Sequence, residues 1–342
     1  MNSPNFKFRL RNCIASKFGK QKSSAQDHFF VVSNEPTIIY RNVKLDPDAY
    51  TQFKNRDVHF LIRFWWSFEN EYLLKELFKT EKRVRDSFPN LKFTYCCNSS
   101  REVEMIRERG GDAFLCSHNA FTDVNRFFPM EVDKRFDAIY DAQLLEFKRH
   151  CLARDVSSLS LVSFIHENLT SDYYKKRVSS CLAHAHWYNN PMTANWHMLN
   201  HDELRLALNE ARVGLCLSAE EGGMKAAIQY LLCGLPVVST ENRGGRDEFF
   251  HPDFANIVAA DPKAVADAVS KFVASPPNPT SVRAAAVATI EKHRGNFVQK
   301  VNKISLDGGG SGYTHAYLTQ SYVPGFLKWQ SVEEVLSEIT FS

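Results

Sequence analysis

A chain of 342 residues, 44% hydrophobic and 24% charged, can bury one large core or two medium ones and is too apolar to be disordered throughout. Its formal net charge of +3 is too small to argue for nucleic acid, while remaining compatible with a phosphate-bearing ligand or weak attraction to an anionic membrane. The opening MNSPNFKFRLRN holds no apolar signal core and no run reaches the length of a bilayer-spanning helix, so the expected location is the cytoplasm. The eight cysteines show no CxxC spacing, and several sit inside apolar runs, which predicts buried free thiols in a reducing compartment.

Residues 1 to about 34 show no firm period and are assigned no element. TIIYRNV (37–43) and VHFLIRFWW (58–66) read as strands. SFENEYLLKELFKTEKRVRDSF (67–88) reads as a helix capped by Ser67, with Leu73, Leu74, Leu77 and Phe78 on one face. LKFTYCCN (91–98) is a short buried strand, SSREVEMIRERGG (99–111) a helix with a serine start and a glycine stop, and AFLCSHNAF (113–121) a strand running into a loop. The alternation restarts with a strand at 136–142, a loop and helix at 144–156, a strand at 159–166 and helices at 171–185 and 199–213. Strands come next at 213–219 and 236–240; NIVAAD (256–261) follows, then a helix at 262–275 with Pro262 in its first turn. SPPNPTS (275–281) marks a boundary, after which 282–301 and the final stretch at 331–341 read as helices. Strands and helices alternating at short intervals predict parallel sheets covered by helices.

The stretch LSAEEGGMKAAIQYLLCGLPVVST (217–240) admits two readings. It is either a polar loop, a core helix and a buried strand, or a ligand site at the carboxyl end of a strand. In the second reading Gly222 and Gly223 let backbone N–H groups approach a ligand, and a helix from Met224 adds its positive end, which suits a diphosphate. Glu221 would repel phosphate and is better suited to accept hydrogen bonds from sugar hydroxyls. Gln229, eight positions on, could hydrogen-bond a hydroxyl from a similar helix face. Lys148, Arg149 and His150 form a basic cluster after the strand at 136–142, either a surface patch or a neutraliser of diphosphate charge.

EEGGMKAAIQYLLCGLPVVSTENRGGRDEFF, from Glu220 onward, resembles the donor-binding segment of GT-B glycosyltransferases, especially the retaining group called family 4. The family pattern is a glutamate, a small-residue loop, a second glutamate eight residues later, CGxPVV and a glycine-rich loop. The resemblance is also visible at 136–153 and at CSHNAFTDVNRFFP (116–129), where Asn119, Asp123, Phe127 and Pro129 match in order. It implies an α/β GT-B fold of two doubly wound, Rossmann-like domains facing across a cleft. These would be an acceptor-side domain at 1–130, a nucleotide-sugar domain at 131–280 and a helical tail at 281–342 packing back on the core.

The resemblance also implies roles. Glu221, His118 and Lys148 become candidate catalytic residues. Gln143, Lys148, Arg149, Gly222, Gly223, Met224 and Gln229 become candidate contacts to a nucleotide-diphosphate sugar. Two of these depart from the family: Gln143 stands where an arginine is expected and Gln229 where a glutamate is. Arg149 is proposed to supply the charge missing at 143. Arg246 and Asp247 read first as partners that fix their loop. The expected activity is sugar transfer to a hydroxyl of a glycan or lipid-linked saccharide, retaining and without metal or cofactor, in surface polysaccharide synthesis. Peripheral association with the inner face of the membrane would suit such an acceptor, and no nucleic acid partner is expected.

Three other readings stay open. They are a catalytically inactive nucleotide-sugar or glycan-binding domain, a nucleotide-sugar epimerase on the same scaffold, and a metal-dependent GT-A transferase using Asp46 and Asp48. Arg63, Trp65, Trp66 and Glu69 could line the acceptor side, with at most one tryptophan in a cleft if their strand persists. His184, His186 and His197 lack a cysteine or carboxylate at ligand spacing and read as a hydrogen-bonded loop.

Overall fold

The computed structural model describes residues 29–165, 169–318 and 330–339; Cys13 lies outside them. They form two compact units: the described residues up to Phe121 and from His293 onward make the first, and Thr122–Lys292 the second. The sequence-based boundary at 130 thus falls inside the second unit, and the stretch read as a separate tail is divided between the two.

The first unit is built on a five-stranded sheet in the order β1-β2-β3-β4-β5. β1 (Phe29–Asn34) pairs antiparallel with β2 (Thr37–Asn42). β3 (Val58–Arg63), β4 (Leu91–Cys97) and β5 (Ala113–Leu115) continue parallel to β2. β1 was not legible in the sequence. β3 stops at Arg63, before the tryptophans, because Phe64 turns into the core and stacks on Phe68 at 4.1 Å. The adjoining loop is pinned by Glu102, whose two carboxylate oxygens accept from the backbone N–H groups of Phe68 and Asn98, each at 2.7 Å. Ser67 takes part in that loop by accepting from Glu69 N, so α1 begins later, at Glu71–Ser87. Its cap is Asn70, which accepts from Tyr72 N and Leu73 N. α1 buries Leu73, Leu74, Leu77 and Val84. α2 (Ser100–Arg107) is capped by Ser99, as expected.

The second unit carries six strands, all parallel: β6 (Phe136–Asp141), β7 (Leu159–Val162), β8 (His186–Asn189), β9 (Ala211–Cys216), β10 (Val237–Thr240) and β11 (Ala255–Val258). Their order is β11-β10-β9-β6-β7-β8. α3 (Asp172–Cys181), α4 (His201–Asn209) and α5 (Lys225–Leu232) connect strands, and α6 (Pro262–Ala274) follows β11. Asn200 closes a reciprocal capping box with Glu203 on α4, and Asp261 caps α6 just before Pro262. β9 and α5 meet closely: a Cβ built on Gly214 would come within 2.3 Å of the Tyr230 ring, so only glycine lets the helix seat there.

α7 is one helix of 29 residues, Pro279–Asp307, that belongs to both units. Val282, Ala286 and Ile290 enter the second unit's core, while Phe297, Val298, Val301 and Ile304 enter the first's. α8 (Val332–Glu338) closes the described chain, and Gln330 just before it bridges to Phe29 of β1.

The described free cysteines, 96, 97, 116, 216 and 233, are buried as the sequence suggests. Cys151 and Cys181, expected as free thiols, are instead joined in a disulfide. The reason is local. The turn at His150–Ala153 packs on α3 through His150 and Tyr174, which places the two Cα atoms 5.8 Å apart, within disulfide reach. Among the described residues no helix is long and apolar enough to cross a membrane.

Candidate functional site

β6 is the first strand of the second sheet in chain order and lies at its middle, with β7 and β8 on one side and β9, β10 and β11 on the other. The connection direction therefore reverses between β6 and β9. In parallel α/β sheets this reversal opens a crevice at the carboxyl ends of the two strands, where ligands bind. The described part of the first unit's sheet runs in chain order and has no such reversal.

Both flanks of that crevice carry charge. Lys148 ends the short turn after β6, Glu221 comes after β9, and the Lys148 ammonium is paired with the Glu221 carboxylate. Their side chains are 13% and 8% exposed, so the pair is largely withdrawn from water. The turn is held from both sides: Tyr140 Oη donates to Lys148 O, and Ala219 N donates to Phe147 O at 2.9 Å.

The other members of the basic cluster are differently employed. Arg149 has φ 53°, a left-handed conformation that turns its side chain back into the fold. Its Nε donates to Leu217 O at 2.6 Å and its Nη2 to Thr240 Oγ1 at 2.7 Å, so it braces the ends of β9 and β10. His150 is buried, with Nδ1 3.0 Å from Tyr174 Oη and Nε2 3.3 Å from Ala142 O, and burial lowers its pKa to about 3. It is neutral at physiological pH. The cluster read from the sequence reduces to one cation facing Glu221.

Gly222, Gly223 and Met224 are buried between Glu221 and α5. Met224 is the N-cap residue, with φ 40° and no side-chain capping bond, and α5 starts at Lys225 rather than at Met224. Gln229, on α5, is 5% exposed, and its amide has no hydrogen-bond partner among the described residues. Gln143 is half-buried and likewise keeps its amide unpartnered there.

Asp141, at the end of β6, was not singled out in the sequence. Burial pushes its carboxyl up to about 6 against the opposing pull of nearby Lys148 and Lys225. Its backbone N–H donates to Tyr230 Oη at 2.6 Å, tying α5 to β6. An aspartate at the carboxyl end of a strand that opens a unit was the available signal.

Arg246 fixes its loop, as the sequence suggests. It is fully buried, donates to the carbonyls of Cys216, Ser218 and Thr240, and pairs with Asp247 at 2.9 Å. Glu220 pairs with Arg243, and Glu221 N donates to Arg243 O at 3.0 Å, so the 220–221 and 243–247 segments form one block.

His118 belongs to the first unit. There its Nδ1 lies 3.2 Å from Phe64 O, and its backbone N–H donates to Asn98 Oδ1 at 3.2 Å. In the same unit Trp66 is buried and Trp65 half-buried, and Glu69 accepts from Ser99 Oγ at 2.5 Å. Asp46 spends a carboxylate oxygen capping the turn that starts at Pro47, accepting from Asp48 N at 3.1 Å. His184 Nε2 lies 2.9 Å from Val156 O, and His186 stacks on Phe136. Among the described residues no three His, Cys, Asp or Glu side chains are grouped to hold a metal ion.

Two Rossmann-like units of mainly parallel sheet, with a helical carboxyl-terminal region, are the fold of the GT-B glycosyltransferases. The chain superposes on the N-terminal domain of Candida albicans trehalose-6-phosphate phosphatase with a TM-score of 0.56 at 14% identity, over 89% of this chain and 74% of that one. Against Anabaena HepE in complex with UDP the TM-score is 0.55 at 11% identity, over 85% and 81% of the two chains. Against sucrose-phosphate synthase from Thermosynechococcus elongatus it is 0.54 at 15% identity, over 89% and 76%. Residues 164–299, under half of the chain, match the family described as glycosyl transferase-like. No curated protein matches the sequence.

Proposed function

We propose that this protein is a glycosyltransferase that moves a sugar from a nucleoside-diphosphate donor to a hydroxyl of a glycan or glycoconjugate. The observation that carries the proposal is the Lys148–Glu221 pair set across the switch point of the second sheet, beside the buried Gly222–Met224 turn. The match to the glycosyl transferase-like family covers Glu221 and its loop, and HepE, of similar fold, has been solved with UDP and with UDP-glucose.

The chemistry comes from what an incoming diphosphate does to the pair. Its oxygens compete with the Glu221 carboxylate for the Lys148 ammonium. Lys148, once drawn to the phosphates, stabilises the negative charge that builds as the diphosphate leaves. Glu221, released from the lysine, accepts hydrogen bonds from sugar hydroxyls. Backbone groups of the Gly222–Met224 turn and the start of α5 supply further positive potential. Gln229, whose amide is unpartnered among the described residues, would receive a ribose hydroxyl. The charge work is then done by a lysine and a helix start, without a metal. Retention of configuration, a role for His118 at the donor, and a surface-glycan or lipid-linked acceptor rest on the family resemblance.

Titration of the wild type with UDP and GDP against uridine and guanosine tests the site. A diphosphate should bind far more tightly than its nucleoside, and equal affinities would overturn the reading. A binding-only protein is the second reading, favoured by the neutral side chains at Gln143 and Gln229. Nucleotide-sugar binding without turnover across acceptors would establish it.

A further inference from the structure

Asn242, just past β10, carries the one side chain among the described residues whose amide oxygen and amide nitrogen are both buried without a hydrogen-bond partner. A buried donor and acceptor left open together are unfavourable, because each gave up water and received nothing in return. The main chain that carries the amide is fixed on both sides. The carbonyl of Glu241, on one side, accepts from Arg149 Nη2 at 3.3 Å. On the other side Arg243 donates its N–H to Ala219 O at 3.2 Å, accepts from Glu221 N at 3.0 Å and pairs with Glu220 through its guanidinium. The backbone on both sides is thus bonded to the block that carries Glu221 or to the arginine that braces it.

The chemistry of the missing partner is restricted. A phosphate oxygen accepts only, so it could satisfy Nδ2 and would leave Oδ1 open. A hydroxyl both donates and accepts, and neighbouring ring hydroxyls match an amide's adjacent donor and acceptor. Because the segment is tied to Glu221 through Arg243, the ligand group Glu221 addresses is the candidate source of that hydroxyl. Resting on the donor-site reading above, we propose that Asn242 binds a hydroxyl of the transferred sugar and so takes part in choosing which sugar is accepted. The ribose of the nucleotide offers the same chemistry, and the test separates the two sources.

Calorimetric titration of wild type, Asn242→Ala and Asn242→Asp uses UDP, UDP-glucose, UDP-N-acetylglucosamine, GDP and GDP-mannose as probes, alongside the melting temperature of each protein without ligand. Asn242→Ala should weaken binding of the preferred nucleotide sugar by about tenfold and leave the matching nucleoside diphosphate unchanged. Asn242→Asp, which keeps the acceptor and loses the donor, should also lose part of the sugar increment. Without ligand, Asn242→Ala should melt no lower than wild type, since it removes an amide that has no partner. Equal losses for the nucleotide sugar and the nucleoside diphosphate would assign the amide to the ribose. No loss for either would assign it to water, and a melting temperature lowered by several degrees would assign it a structural role; each of these overturns the proposal. A wild type that binds none of the five probes overturns the donor-site reading, and the proposal with it.

Discussion

At the scale of single residues, the arrangement of Lys148 and Glu221 makes opposite demands on stability and binding. Two nearly buried charges neutralise each other, so removing one leaves the other stranded. Lys148→Met should destabilise the protein by about 3 kcal/mol, measured by urea unfolding, and should weaken diphosphate binding. The double variant Lys148→Met with Glu221→Leu should recover most of that stability and none of the binding. Recovery of both would mean the pair is purely structural. Glu221→Gln, which can still accept from Lys148, should bind a nucleoside diphosphate normally and lower transfer about tenfold to a thousandfold. Arg246 is different in kind, because its guanidinium fork serves three carbonyls from one buried position. Arg246→Lys cannot reproduce the fork and should cost about 3 kcal/mol. Glu221 and Lys148 were singled out by residue type and spacing, and the structure pairs them. The role of Arg149 was not, since a left-handed backbone angle at one residue, invisible in the sequence, turns an apparent phosphate ligand into a brace.

At the scale of elements, caps and glycines carried most of the readable information. Ser99 and Asp261 stand just before helices that start where the sequence places them, and Asn200 starts α4 two residues inside the expected 199–213, because each offers a side-chain acceptor to an otherwise open N–H. The start of α1 was misread because Ser67 and Asn70 are both competent caps and a buried glutamate far along the chain, Glu102, decides between them by holding the intervening loop. β8 was missed because four residues at a sheet edge give too short a stretch for a period. Gly214 tests how strictly α5 must seat against β9. Gly214→Ala should push Tyr230 off Asp141 N and destabilise by about 1–3 kcal/mol, with weaker nucleotide binding as β6 and α5 lose register. The disulfide ties the turn after Lys148 to α3 across 30 residues. Replacing Cys151 and Cys181 together by serine should lower stability by roughly 2–4 kcal/mol, seen as a lower urea midpoint than the oxidised wild type. Equal midpoints would show that the His150–Tyr174 contact holds the turn without it.

At the scale of the whole molecule, each unit stores a histidine that must stay neutral. His59 of the first unit lies 2.8 Å from Thr94 Oγ1, and burial lowers its pKa to about 4; His150 of the second is lowered to about 3. In both, the unfolded chain takes up a proton near pH 6.5 that the folded chain refuses. The share of stability that rests on these histidines should therefore be at its full value above pH 6.5 and fall as the pH drops toward 4, by a few kcal/mol in each unit, against an opposing gain from the buried carboxyls of Asp141 and Glu102, which burial raises. Urea unfolding at pH 7 and pH 4.5 measures the loss, and His150→Gln should shrink it. An unchanged difference in that variant would locate the acid sensitivity elsewhere.

The second unit is an insertion in the first. Thr122–Lys292 is one continuous stretch, whereas the first unit is assembled from the segments on either side of it. During synthesis on a ribosome the six-stranded sheet is therefore complete while the five-stranded one still lacks part of its core. When Lys292 emerges, Phe297, Val301 and Ile304 are still enclosed by the ribosome, as is His293, whose Nδ1 takes the N–H of Ser117 at 3.0 Å. The segment translated first must wait for nearly the last one, with the apolar residues of β2 and β3 uncovered in the interval. A chain stalled so that Lys292 has just cleared the ribosome should show the later-made half protected from protease and the earlier-made half cut, the reverse of the order in which the two were translated.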